Sequence, residues 1–174
     1  MDNVKIIVVG PPASGKTSIV RRFVYNWFND TYFVSVGDTI WEADKIVDNK
    51  KVHFSIWDIA GDEKWQIYDG LFYRDVDGVF LVFDLTRPET LWDLEQWSRK
   101  IDEKCNTHPI RLLLGNKADL VNGDFDESII KTAMNQYRIR AFFKTSAKTG
   151  LNIDKAFYFV VRELWAGMQY VKMR

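Results

Sequence analysis

"VKIIVVGPPASGKTSIVRRFV", residues 4–24, is the stretch that decides how this chain folds. Its first six residues form an apolar, β-branched run of the kind a parallel sheet buries, and beyond it Ile19, Val20, Phe23, Val24 and Trp27 recur at helical spacing. Between strand and helix lies "GPPASGKT" (10–17), which fits G-x-x-x-x-G-K-[ST] in the place that motif requires. The backbone N–H groups of such a loop and of the first helical turn point at phosphate oxygens. Lys16 sets a positive charge near the β- and γ-phosphates, and the Thr17 hydroxyl can ligate Mg²⁺. Pro11 and Pro12 have no N–H to give, but the consecutive donors of Ala13, Ser14, Gly15, Lys16 and Thr17 remain. Ala13 carries a Cβ that costs ~1–2 kcal/mol relative to glycine if its φ must be positive.

Outward from this unit, strand and helix patterns alternate. "IWEADKIV" (40–47) and "KVHFSIWD" (51–58) alternate with period two around "DNK" (48–50), which predicts an antiparallel hairpin. "GVFLVFD" (78–84) and "IRLLLGN" (110–116) are continuously apolar, as strands covered on both faces must be, and "RAFFKTS" (140–146) is a weaker sixth strand. Helices are predicted over 90–105, 126–137 and 153–170. In the last, Ile153, Phe157, Val160, Val161, Leu164 and Met168 form one apolar stripe read as core. The pattern has no internal repeat and no linker, so residues 1–174 read as one α/β domain.

Composition narrows the function classes. The chain has 174 residues, 47% of them hydrophobic, enough for a single core. Lys+Arg 24 against Asp+Glu 24 gives a net charge of +0, which carries no broad attraction to nucleic acid or anionic lipid. The one cysteine, Cys105, excludes an internal disulfide and fits a reducing, cytoplasmic compartment. The start lacks a basic leader, and no apolar run approaches the ~18 residues of a membrane span. His53 and His108 lack metal-ligand spacing, and Cys105 ends a helix stripe; all three read as structural.

Further on, "GNKADL" (115–120) follows "IRLLL" and "TSAK" (145–148) follows "RAFFK". Together with "GPPASGKT" and "WDIAG" (57–61), in this order, they resemble the motif set of the Ras-like small GTPases across nearly the whole chain. "FNDTY", "IWDIAGDE", "LFYRDVDGVFLVFDLT" and "LLLGNKADL" are most similar to the Rab branch. The resemblance implies a P-loop G domain: a six-stranded, mostly parallel sheet with one antiparallel edge strand, flanked by five helices. It also implies that GTP and GDP bind with Mg²⁺ at the carboxyl ends of the strands. Carried over residue by residue, it assigns the phosphates to Ala13, Ser14, Gly15, Lys16, Thr17 and Ser18. Asp119 would accept guanine N1–H and the 2-amino group, Asn116 would brace the loops, and the Lys117 stem would pack on the base. The Ala147 N–H would bind guanine O6, with Ser146 and Lys148 holding that loop. Phe28 falls where the family packs an aromatic on the base edge, or else it is a core aromatic ending the first helix. Asp58 would hold Mg²⁺ through water, and Gly61 would offer its N–H to the γ-phosphate.

The departures gather where the third phosphate is sensed. Spacing from Thr17 and Asp58 puts Ser35 at the family's Mg²⁺-ligating threonine, with Thr31 and Thr39 as rivals. Serine keeps the hydroxyl but loses the methyl that stiffens χ1. Ile40 stands where an aromatic is usual, while Trp57 and Tyr73 remain for an aromatic effector surface. In "SIWDIAGDEKW" (55–65), Asp62 replaces the glutamine that positions the attacking water. An ionised aspartate only accepts hydrogen bonds and adds charge beside a polyanion, so hydrolysis is expected to suffer more than binding. Glu63 is a weaker substitute, since it already occupies the family's own glutamate position. The catalytic set is therefore Lys16, Ser35, Gly61 and Asp62, and the metal set Thr17, Ser35 and Asp58.

Two functions follow from the resemblance: a slow, Rab-type GTPase switch in vesicle trafficking, or a GTP-binding interaction module whose turnover has lapsed. A nucleoside kinase would leave "NKAD" and "TSAK" without purpose. Expected partners are guanine nucleotide, exchange factors, GTPase-activating proteins and effectors, with no nucleic acid. Rab-like chains continue into a prenylated tail, whereas this sequence stops at "GMQYVKMR" (167–174). Either the tail was removed, another domain followed, or anchoring is absent. Endomembrane association is expected only where such a tail exists.

Overall fold

A computed structural model of the chain describes residues 2–28, 39–59, 69–123 and 126–172. Strands β1 (Asp2–Val9), β2 (Thr39–Val47), β3 (Lys50–Asp58), β4 (Gly78–Asp84), β5 (Ile110–Asn116) and β6 (Ala141–Lys144) form one sheet in the order β2-β3-β1-β4-β5-β6. β2 runs antiparallel to β3 at the edge, and the other pairings are parallel. The helices among the described residues are α1 (Lys16–Tyr25), α2 (Asp69–Phe72), α3 (Glu95–Lys104), α4 (Glu127–Gln136) and α5 (Ile153–Lys172), and α2 is only a single turn. This is the expected α/β sheet. No described helix is long and apolar enough to cross a membrane.

The continuous apolar runs have a direct cause, because each parallel strand feeds two cores. Val4, Ile6, Val8, Phe80, Val82, Leu112 and Leu114 face Ile19, Val20 and Phe23 of α1 and Phe157, Val160 and Val161 of α5. Their neighbours Ile7, Val9, Val79, Leu81, Phe83 and Leu113 face Trp97 and Ile101 of α3 and Ile130 and Ala133 of α4. Successive side chains on a strand point to opposite faces, so a strand covered on both sides is apolar along most of its length, and the buried Arg111 of β5 is paired with Asp102. Phe157 centres the first core, stacked on Phe23 at 3.7 Å and edge-on to Phe80 at 4.7 Å. The β2–β3 hairpin turns through Asp48 (φ 47) and Asn49 (φ 64), the left-handed pair that matches strand twist.

Three local expectations are corrected. α1 ends at Tyr25, because Asn26 takes a left-handed cap (φ 52) and returns its N–H to the Arg22 carbonyl at 2.9 Å; Trp27 lies past that stop, 48% exposed. Pro88–Leu94 is a 3₁₀ helix leading into α3, tightened by Thr90, whose hydroxyl donates to the Arg87 carbonyl at 2.6 Å and accepts from the Asp84 N–H at 3.0 Å. Met168 is 57% exposed, since α5 outruns the core that its earlier turns cover.

Candidate functional site

Parallel strands bring their carboxyl ends to one edge, so the segments after β1, β5 and β6 meet there beside the end of β3. The loop leaving β1 passes tightly over β4: at Gly10 (φ 146) a Cβ would sit 2.1 Å from the Val82 carbonyl oxygen. At Gly15 (φ 92) a Cβ would sit 2.2 Å from the Asn116 amide nitrogen. Both motif glycines are thus required by conformation and by space. Ala13 lies at φ 61, the strained side of the question its sequence left open.

Lys16 opens α1 almost buried, with its ammonium donating to the carbonyls of Gly10 (2.8 Å) and Pro11 (3.1 Å). Burial pushes its pKa down, and the Asp58 charge opposes this. One residue on, the Thr17 hydroxyl donates to the Asp58 carboxylate. Asp58 is fixed at the end of β3 by its pairing with Val8 on one side and Thr39 on the other. A hydroxyl and a carboxylate oxygen side by side, next to a buried ammonium, suit a hard divalent cation and an anionic ligand. Among the described residues no three His, Cys, Asp or Glu side chains group to hold a metal, so the fit rests on this mixed oxygen pair. Ser35, Gly61 and Asp62 lie outside the described residues, as do Thr31 and Glu63. Thr39 begins β2 as a ladder residue. Ser18 is half-buried in the first turn of α1.

At the other end of the site, Asn116 is 2% exposed and joins three segments. Its amide donates to the Ser14 carbonyl at 2.9 Å, and its oxygen accepts from the Ala147 N–H at 3.3 Å and the Thr145 hydroxyl at 3.4 Å. Asp119 is exposed and accepts from the Ser146 hydroxyl at 2.5 Å; Ser146 in turn accepts the Thr149 N–H at 3.1 Å. Phe28 is half-buried against the core that includes Ala147. Lys117 sits at φ 65 with its ammonium 2.7 Å from Asp84. The exposed Lys148 holds its place through its carbonyl, which accepts from Arg22. The predicted phosphate and base residues that are described therefore converge on one edge.

Three residues escaped the sequence reading. Asp84, buried at the end of β4, accepts from Lys117, from Arg87 at 3.0 Å, and from the Thr86 N–H and hydroxyl at 2.9 and 2.7 Å. Burial pushes its pKa up, but those bonds together outweigh burial and hold the carboxyl below the ordinary aspartate range. Arg87 also donates to the Pro12 carbonyl at 3.1 Å, so this carboxylate links the base motif to the phosphate loop. Arg22 grips the loop carrying Ala147. The legible signal was Asp84 itself, a carboxylate closing an otherwise apolar strand. Tyr73, expected on an exposed aromatic surface, is a core side chain at 3% exposure. Trp57 is instead edge-on to Phe72 at 5.3 Å, with the Lys5 ammonium 4.2 Å from its ring centre.

The family model described as "Ras family" matches residues 5–166. Among curated relatives, the Ras-related protein Rab-13 of Canis lupus familiaris is 34% identical over 162 residues, covering 92% of this chain and 79% of the relative. The Ras-related protein Rab-10 of Diplobatis ommata is 32% identical over 164 residues (92% and 80%), and the Ras-related protein Rab-8A of Bos taurus 31% over 169 residues (94% and 79%). A phosphate loop whose glycines admit no side chain, a threonine set on a strand-end aspartate, and an asparagine that laces both to the base loop now have their family: this chain is a divergent, Rab-branch member of the Ras family of small GTPases.

Proposed function

We propose that the protein is a Rab-type molecular switch that holds GDP or GTP with Mg²⁺, hydrolyses GTP slowly, and acts in vesicle trafficking. The observation that supports this reading most is the Asn116 bridge, which joins the Ser14 carbonyl to the Ala147 N–H, while Ser146 of that same loop donates to Asp119. In it, Lys16 and the loop N–H groups bind phosphate oxygens, and Thr17 and Asp58 hold the cation with Ser35. Bound there, Mg²⁺ would neutralise charge on the phosphates. Asp119 selects guanine by accepting two donors that adenine does not offer as a pair. Phe28 and the Lys117 stem flank the base. Gly61 donates to the γ-phosphate, and Asp62 faces the attacking water without the donor that a glutamine would supply. Exchange factors, GTPase-activating proteins and effectors read the segments that sense the third phosphate. Endomembrane association belongs to this reading where a lipidated tail is present.

Asp62 also supports a second reading, a GTP-binding interaction module without turnover. One experiment tests both: the purified protein is denatured, the released nucleotide identified, and bound GTP followed over hours. Guanine nucleotide with slow loss of GTP is the outcome expected for the switch. Guanine nucleotide with no loss, even with a GTPase-activating protein, favours the module. Absence of guanine nucleotide, with no binding on loading, sinks both.

A further inference from the structure

Helix α1 carries Lys16 and Thr17 at its start. In its last turn it carries an arginine that belongs to none of the sequence motifs. Arg22 donates through Nε to the Ala147 carbonyl at 2.7 Å and through Nη2 to the Lys148 carbonyl at 2.5 Å. Its Nη1 reaches the carbonyl and side-chain oxygen of Asn26, at 3.1 and 3.2 Å, and Asn26 is the residue that closes α1. A planar guanidinium with fixed donor directions can hold two successive carbonyls at once, which a lysine ammonium on a flexible stem cannot reproduce. The peptide gripped this way matters for the other side of Ala147. Its N–H points inward, 3.3 Å from the Asn116 oxygen, while Ser146 holds Asp119 from the same loop. The loop is therefore set from inside by Asn116 and from outside by Arg22.

We propose that Arg22 is a positioning residue for base recognition: by fixing the Ala147 and Lys148 carbonyls it holds the Ala147 N–H, which here donates to the Asn116 oxygen at 3.3 Å, where a bound guanine O6 can take it over or share it. It also ties that presentation to the helix whose first turn meets the phosphates. The inference rests on the guanine-nucleotide reading above and extends it to a residue that touches no nucleotide.

The test uses the full chain and two variants, Arg22→Ala and Arg22→Lys. GDP release is measured alongside the preference for GDP over 6-thio-GDP, whose sulfur is a weak acceptor at the position of O6. Arg22→Ala should release GDP on the order of 10- to 100-fold faster, as expected from losing charge-assisted bonds to a binding loop, and Arg22→Lys should recover part of that. The preference for GDP over 6-thio-GDP should shrink in the same order. Arg162→Ala, which removes the bonds at 2.7 and 2.8 Å that fasten α5 to Asp48 of the hairpin, should lower thermal stability and leave that preference unmoved. Wild-type release rate and preference in both Arg22 variants would overturn the inference. So would lost stability with unchanged preference, which marks a purely structural arginine. Wild type that fails to bind GDP at all would instead overturn the guanine-nucleotide reading, and the inference with it.

Discussion

Asn116 donates its side-chain amide to the Ser14 carbonyl at 2.9 Å, joining the end of β5 to the loop after β1 across 102 positions of sequence. The same side chain accepts the Ala147 N–H, so a single buried amide holds three segments. Asn116→Ala leaves a buried carbonyl and a buried N–H without a partner, which costs about 1–3 kcal/mol for each group left unsatisfied. We expect a lower thermal midpoint without nucleotide and faster GDP release. Melting curves recorded with and without GDP, together with a release rate, check this; an unchanged midpoint would contradict the role assigned to the amide.

Ala13 holds φ 61 in a loop where glycine would be unstrained. Ala13→Gly relieves ~1–2 kcal/mol of left-handed strain and gives back ~0.5–1 through the freer unfolded chain, for a net gain of about 0.5–1 kcal/mol. For a domain of this size that is a rise of roughly 2 °C in thermal midpoint, read by calorimetry without nucleotide. A fall of the same size would mean that Ala13 is stabilised by contacts beyond its backbone.

Asp84 stays below its ordinary value of 3.8 in the folded chain, which fixes the sign of its acid dependence. A carboxyl with a depressed folded pKa contributes stability that is complete above its unfolded value and is lost as pH falls through the folded one. Asp84→Asn should therefore cost about 1–3 kcal/mol near neutrality, the low end for a buried pair because Lys117 and Arg87 can return to water. The wild type should lose more stability than the variant as pH falls below about 4. Urea midpoints across that range decide it, and parallel curves for the two proteins would refute it.

Asp62 is expected to set the pace of hydrolysis. Without a residue that both donates to and accepts from water, intrinsic turnover should lie at or below the ~10⁻⁴ s⁻¹ of a Ras-like protein with its glutamine. Asp62→Gln should accelerate single-turnover hydrolysis, Asp62→Ala should change it little, and nucleotide affinity should hardly differ among the three. Hydrolysis by the wild type faster than by Asp62→Gln would show the carboxylate acting as a base or water ligand.

What the sequence revealed and what it hid divide along a physical line. The buried strands were legible because a chain covered on both faces is apolar along most of its length, as in "GVFLVFD". Gly10, Gly15 and Asn116 were legible because each needs a particular residue type at its place. Arg22 and Arg87 were not, since the contacts that tie them to the site run to the backbone carbonyls of Ala147, Lys148 and Pro12, and a carbonyl leaves no mark in sequence. Trp27 continued a helical spacing that Asn26 had already ended, and Met168 continued a stripe beyond the core it serves. Periodicity reports which side chains would align; it does not report where the surface they would meet runs out.

The site is gathered from four separated parts of the chain, after β1, at the end of β3, after β5 and after β6, and this has a consequence for the lifetime of the protein. A ligand touching all four acts as a reversible cross-link, and the chain cannot unfold without letting it go. Each tenfold of free nucleotide above the dissociation constant then adds about 1.4 kcal/mol to the folded state. A partner that empties the site would do more than reset a signal. It would leave a chain more open to proteases until the next nucleotide arrives, so that the surrounding nucleotide pool governs abundance as well as activity.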